Sequence, residues 1–464
     1  MKLDVQVRGK TVARLYRERD EYVLKYLAGA PEDAFVSLAM PVREEPWRWP
    51  RDLHPFFRQN LPEGYLLSVI REEFGPLLDG TDLSLLAVVG GLSIGRVTVT
   101  PEGGKPGEGI KPLDVERVLT AENSVENFSK LVRTYARAAI SGAVPKFLAL
   151  EEVLGPTEAV SKSSFRTSRH IVKGSDESAP YLGLNEHYSM RVLERLKVTP
   201  VARTRMSSDG HVLVVDRFDI DRDGLPMRGV EDACGLLGLP PNEKYRPSTE
   251  AVLKATRAYI PSRLIRGELE SFGWHLLLSY VVRNADLHAK NIALYYGTRE
   301  DVAYTPVYDV VTTQAYPRFA ANAPGLAVGG RKTWAPGKTL EQFFKAQLGL
   351  APSQYKSMVE QLCESAVEVG REVIEAAKNE PRWHNVAKGM VHAWNEGMAS
   401  LRSARREKHL KGLAAHIEAA GFSDPPRPEP PRTTGHSELL ARPSSLPRRR
   451  ATSPAKGRIR KKPQ

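Results

Sequence analysis

The chain has 464 residues, 41% hydrophobic and 26% charged, so two or three compact soluble units are the starting expectation. No apolar run approaches the roughly 20 residues of a membrane helix, and the alternating N-terminus "MKLDVQVRGKTVARLY" lacks the apolar core of a signal peptide. Cys234 and Cys363 are the only cysteines, without metal spacing, which argues against a disulfide framework or a zinc site and fits a reducing cytoplasm.

Residues 2–26 read as a small antiparallel sheet. "KLDVQVRG" and "KTVARLYRE" alternate across a turn near Gly9, and "EYVLKYL" supplies a third strand. Helical spacing follows in "HPFFRQNLPEGYLLSVIREEFG" (54–75), interrupted by Pro62, and "DLSLLAVVG" opens on an aspartate expected to cap it. "IGRVTVTPE" (94–102) closes the unit as a strand, and "GGKPGEGIKP" (103–112) is a linker by composition. The second unit begins with helical "VENFSKLVRTYARAA" (125–139), the tight turn "SGAVPK" (141–146) and the apolar "FLALEEVLG". "HIVK" (170–173) is a short strand, "LNEHYSMRVLERL" (184–196) a helix, and "HVLVVDRFDI" (211–220) another strand.

From about residue 228 the pattern is mostly helical, with a strand pair around 292–308. Residues 424–464 carry nine prolines and eleven Lys/Arg against Asp424, Glu429 and Glu438; that net of +8 leaves +4 of the formal +12 for the other 423 residues. Such a segment buries too little apolar area to offset its ordering entropy and reads as a disordered basic tail, able to hold nucleic acid non-specifically or simply solvated. Strand-rich then helix-rich order predicts an α+β architecture with two lobes.

Within this frame, "RNADLHAKN" holds Asp286 and Asn291 with four residues between them, just past an apolar helix. A phosphoryl-transfer loop needs this pair: a carboxylate to orient the attacking hydroxyl and an amide oxygen to hold magnesium. Alone, the spacing also suits a capped turn. Asp309 in "TPVYDVV" adds the carboxylate expected to bind the metal that bridges the nucleotide phosphates, although Tyr308 and Val310 flank it where such kinases carry Phe and Gly. Upstream, Lys173 ends a strand and Glu186 on the next helix could hold it, unless both are plain exposed charges. "SGAVPK" offers backbone N–H groups and Lys146 to phosphates. These parts occur in the order a two-lobed kinase requires.

The motifs "DLSLLAVVGGLSIGRV" (82–97), "AISGAVPK" (139–146), "HIVK", "LNEHYSMRVL", "VVDRFD" (214–219), "EDACGLLGLPPNEKY" (231–245), "RNADLHAKN" and "TPVYDVV" together resemble the HipA-type serine/threonine kinases, toxin halves of bacterial HipBA toxin–antitoxin modules, over roughly residues 2–400. The resemblance implies a protein-kinase-like fold with a strand-rich N-lobe and a helical C-lobe. The units would be an N-terminal subdomain (1–110), the N-lobe (111–228), the C-lobe (229–422) and the tail (423–464). It implies ATP and Mg2+ as cofactors, with Ser141, Gly142, Ala143, Val144, Pro145 and Lys146 as phosphate loop and Lys173 on the phosphates. Asp216, Arg217 and Phe218 would form the hinge near adenine, and Asp286 the catalytic carboxylate. His288, Ala289 and Lys290 would lie around the nucleotide, and Asn291 and Asp309 would hold the metal, with Tyr308 beside them. His288 could equally be a packing histidine.

Family members autophosphorylate a serine in a Ser-Ile-Ser-Gly loop; here Ala139 takes the first serine position and Ser141 the second, so autophosphorylation is either absent or moved to Ser141. Implied partners are a protein substrate such as an aminoacyl-tRNA synthetase, a HipB-like helix-turn-helix antitoxin and, through it, operator DNA; no membrane is implied. Two other readings stand. "DLHAKN" also resembles the loop of aminoglycoside and choline kinases, which phosphorylate small molecules, and a non-catalytic co-repressor would need only the antitoxin. No helix-turn-helix pattern stands out in the chain itself.

Overall fold

The computed structural model describes residues 1–401 and 412–422, apart from 63, 76–77, 105–113, 124–126, 129, 132, 134–162 and 176–178. The expected phosphate loop (141–146), most of the 103–112 linker and of the 125–139 helix, "FLALEEVLG" and the tail therefore lie outside the described residues.

The first unit is built on a five-stranded antiparallel sheet of β1 (Lys2–Val7), β2 (Lys10–Glu18), β3 (Glu21–Tyr26), β4 (Trp47–Pro50) and β5 (Val97–Pro101), in the order β4-β3-β2-β1-β5. Alternation puts Leu3, Val5, Leu15 and Leu24 on a face that buries Phe56, Phe57, Leu83 and Leu86. The sequence pattern missed β4, whose four residues end in proline. The expected cap of helix Asp82–Val89 also moves by one residue: the Thr81 hydroxyl accepts the Ser84 N–H at 3.3 Å, while Asp82 enters the first turn and pairs with Arg58. A hydroxyl at that position satisfies the orphan N–H while the aspartate faces the positive helix end.

The second sheet comprises β6 (Ser163–Arg166), β7 (His170–Gly174), β8 (Thr204–Met206) and β9 (Val212–Asp216), in the order β6-β7-β9-β8, with helix Leu182–Glu194 against it. Beyond it, β10 (Gly229–Asp232), β11 (Ala293–Tyr296) and β12 (Ala303–Tyr304) form a small sheet at the entrance of the helical body. That body centres on helix Ile265–Val281, whose second half is buried all round, with helices Pro352–Asn379 and His384–Leu401 among its neighbours. Gly397 makes this contact possible, because a Cβ there would lie 2.0 Å from the Val281 carbonyl oxygen. The architecture is α+β with a strand-rich and a helical lobe, and among the described residues no helix is long and apolar enough to cross a membrane.

The first unit is joined to the helical lobe by buried polar groups. Gln59 acts as a strand neighbour for β10, donating to Val230 O at 3.0 Å and accepting from Asp232 N at 3.0 Å. The fully buried Arg96 lies over the Phe35 and Tyr296 rings and donates to Phe35 O and Gly297 O. Glu231, also fully buried, accepts from the Ser37 hydroxyl at 2.6 Å and Leu38 N at 2.9 Å. Burial raises the Glu231 carboxyl from its ordinary value to about 7. Its proton is thus retained on folding and released on unfolding. The stabilisation is complete below the ordinary value near 4.5 and is lost as pH rises through about 7. Denaturation of the wild type against Glu231→Gln should show a loss on the order of 3 kcal/mol between pH 4.5 and 7.5 in the wild type alone.

Candidate active site

Helix Ile265–Val281 ends because Arg283 turns into the left-handed region at φ 55°, which sends the chain back under the helix. The loop that follows is tied down at each step. Asn284 N donates to Ser279 O, Ala285 N donates to the Thr313 hydroxyl at 2.9 Å, and Asp286 N donates to Asn284 Oδ1 at 3.0 Å. Ala289–Asn291 then makes one 3-10 turn, and Asn291 Nδ2 reaches back to Asp286 O at 2.9 Å. Asp286 and Asn291 are thereby fixed as a pair by backbone geometry.

The Asp286 carboxylate accepts a short hydrogen bond from the Tyr245 hydroxyl, and His288 Nε2 lies 3.8 Å from the same oxygen. The Tyr245 ring meets His288 edge-on at 4.9 Å, and Ala289 N donates to Lys244 O at 3.0 Å. Nothing in the spacing of "EKY" singled out Tyr245, because its partner is 41 residues away.

Asp309 is reached from a different direction. After β12 the chain pairs in parallel with Val201 through Val307, then places the Tyr308 hydroxyl on Lys290 O at 2.8 Å. That bond joins the residue before Asp309 to the residue before Asn291. Asp309 itself sits at φ 60°, a conformation costing a non-glycine residue about 1–3 kcal/mol. Its Oδ1 accepts from Lys173 Nζ at 2.8 Å, and the same ammonium donates to Glu186 Oε1 at 2.5 Å. Lys173 projects from β7 and Glu186 from the Leu182–Glu194 helix, so the strand-rich lobe meets Asp309 of the helical lobe through one lysine. Burial holds the His275 imidazole near 4, against the opposing pull of the Asp309 charge, so this histidine is neutral at pH 7.

Of the expected hinge residues, Phe218 joins the site: its ring lies 5.9 Å from Tyr308 and 6.3 Å from Tyr295. The other two side chains turn away from it. Asp216 sits among Arg205, Arg203 and His170. Arg217 is buried on Asp219 at 2.5 Å and on the Thr167 and Ser93 carbonyls. Asn185, Tyr245 and His275 are site neighbours that the sequence pattern did not name.

Asn291 and Asp309 bring one neutral and one anionic oxygen donor, and Lys173, Glu186 and Asp309 together carry a net charge of minus one. That hard, sparse donor set suits Mg2+, which commonly takes one or two protein ligands and completes its shell with phosphate and water.

This arrangement, a strand lysine paired both with a helix glutamate and with an aspartate of the helical lobe, belongs to the protein-kinase type of fold. Comparisons with known proteins agree. The model of the HipA-like C-terminal domain matches residues 138–369 and that of the HipA N-terminal domain residues 3–100. The chain belongs to the HipA family. Relatives include a protein of Sinorhizobium fredii named "Putative kinase Y4mE", 28% identical over 358 residues that cover 73% of this chain and 83% of that one. A "Putative kinase" of Haemophilus influenzae is 28% identical over 194 residues, 39% of this chain and 55% of that one. Among solved structures, HipA of Shewanella oneidensis MR-1, in complex with HipB and its operator DNA, superposes with a TM-score of 0.59 at 17% identity, covering 86% of this chain and 97% of that one.

Lys173 and Glu186 are both almost fully buried. Removing Lys173 takes the ammonium away from two carboxylates at once, so Lys173→Ala should cost about 3–5 kcal/mol in urea denaturation, and more than Glu186→Ala, which leaves Lys173 paired to Asp309.

Proposed function

We propose that this protein is an ATP- and Mg2+-dependent serine/threonine protein kinase, the growth-inhibiting toxin of a toxin–antitoxin pair. The observation that carries the reading is the Tyr308–Lys290 hydrogen bond. It brings Asp309, already paired to Lys173, alongside the loop that holds Asp286 and Asn291.

In this reading Asp286, oriented by Tyr245 and by the turn at Asn284, accepts the hydrogen bond of the attacking hydroxyl and later its proton. Lys173 is held by Glu186 at a height where its ammonium meets the nucleotide phosphates, and Lys290 adds a second positive charge near the transferred group. Phe218 and Tyr308 offer an apolar surface to the purine. Mg2+ held by Asn291 and Asp309 would neutralise charge on the phosphates. Ser141 to Lys146, outside the described residues, would close over those phosphates, with Ser141 as the site of any autophosphorylation. A phosphate there would repel the nucleotide and draw the loop out of the cleft.

Partners follow from the family. The Shewanella relative is seen with HipB and operator DNA, and we take a HipB-like helix-turn-helix antitoxin as the regulatory partner here, with DNA reached through it. A translation-related protein such as an aminoacyl-tRNA synthetase is the proposed substrate class, and the cytoplasm the site of action.

Incubation with radiolabelled ATP should place label on protein and none on aminoglycosides or choline; label on a small amine or sugar instead would replace the reading with that of a small-molecule kinase. Asp286→Asn should reduce transfer by at least about a hundredfold with unchanged folding, and growth inhibition that survived this change would favour the non-catalytic co-repressor. Peptide mapping after ATP treatment is expected to find phosphate on Ser141 and at no other residue of the loop.

A further inference from the structure

Thr312, three residues beyond Asp309, is gripped from the side by the helix that carries Glu186. The fully buried Asn185 side chain accepts the Thr312 N–H at 2.7 Å and donates to its carbonyl at 3.0 Å. These are the two bonds a neighbouring strand would make with that residue. Ser189, one turn on, donates to Asn185 Oδ1 at 3.2 Å and lies 3.1 Å from the Thr312 hydroxyl, which also receives the Trp394 indole N–H at 2.6 Å. Successive residues of a helix point about 100° apart. One turn therefore delivers Glu186 to Lys173 on β7 and Asn185 to the segment behind Asp309.

Asp309 requires such a grip. A left-handed aspartate persists only where its surroundings over-determine it. Val310 and Val311 contribute packing, both fully buried, but packing is not directional. The two Asn185 bonds fix the peptide planes on either side of Thr312 and so anchor the segment that carries Asp309.

We infer that Asn185 is a positioning residue of the phosphotransfer site: it couples the Glu186 helix to the Asp309 segment, so that the Lys173–Glu186 pair and the metal-binding carboxylate move as one body. This rests on the function proposed above. A purely structural Asn185 would affect stability and nothing else.

The full-length wild type, Asn185→Ala and a control, Ser365→Ala, separate the two roles. The Ser365 hydroxyl donates to Val192 O at 2.7 Å on the same helix, so its loss loosens that helix without touching Thr312. Two quantities are read: hydrogen exchange of a peptide spanning residues 308–315 without ligand, and the Mg2+ midpoint of the thermal upshift produced by ATP. In Asn185→Ala exchange should accelerate about tenfold and the Mg2+ midpoint should rise about tenfold. Ser365→Ala should leave both at wild-type values although its Tm falls. Where Asn185→Ala does not accumulate as folded protein, Ser189→Ala, which removes the hydroxyl that orients Asn185, is read the same way with an effect of about threefold. Unchanged exchange overturns the inference, as does faster exchange with a midpoint within about twofold of wild type. A wild type with no upshift by Mg2+ and ATP removes the proposed function and this inference together; a wild-type upshift whose midpoint Asn185→Ala leaves unaltered removes the inference alone.

Discussion

One ammonium shared by two carboxylates holds the site together. Lys173 is almost buried, and a lone charge in that place would be costly. Glu186 alone could neutralise it, but the second bond to Asp309 turns an ion pair inside one lobe into a link across both. Everything that orients these three groups is therefore under the same constraint: the register of β7 against β9, the placement of the Leu182–Glu194 helix, and the left-handed turn at Asp309. Because two negative charges meet one positive, the cluster retains an electrostatic demand that a divalent cation can meet.

The 283–291 side is organised differently, by bonds to the main chain with few charges. Asn284, Thr313 and Asn291 each satisfy backbone groups of the 283–291 segment, so the loop's shape does not depend on ionisation. Neutral His275, within electrostatic reach of Asp309, fits the same pattern, since a protonated imidazole would draw on the carboxylate that Lys173 holds. Stiffness on one side and charge on the other meet at the Tyr308–Lys290 bond.

Much of this was legible in the sequence, for reasons that differ by element. The strands of the first sheet alternate cleanly, and helix Ile265–Val281 is apolar over a long enough run to be found by periodicity. Asp286, Asn291, Lys173, Glu186 and Asp309 were legible because type, order and spacing all constrain them, and the structure brings the last three into one cluster. Short β4 and β10 escaped because four residues carry little periodicity, and one of them ends in proline. Tyr245 and Asn185 escaped for a stronger reason: their partners are 41 and 127 residues away, and a tyrosine or asparagine near a helix has many ordinary uses. Arg217 shows the converse. Its motif is plain, yet its guanidinium is occupied by Asp219 and by carbonyls of two other segments, a preference no local pattern expresses.

Gln59, Arg96 and Glu231 make the N-terminal unit something other than an appended module. Each inserts a polar group into territory owned by a different stretch of the chain, and each leaves a hole of the wrong chemistry if its counterpart is withdrawn. Such a seam resists exchange: a foreign N-terminal segment grafted onto this body would have to reproduce an amide, a guanidinium sandwich and a serine hydroxyl at matching positions.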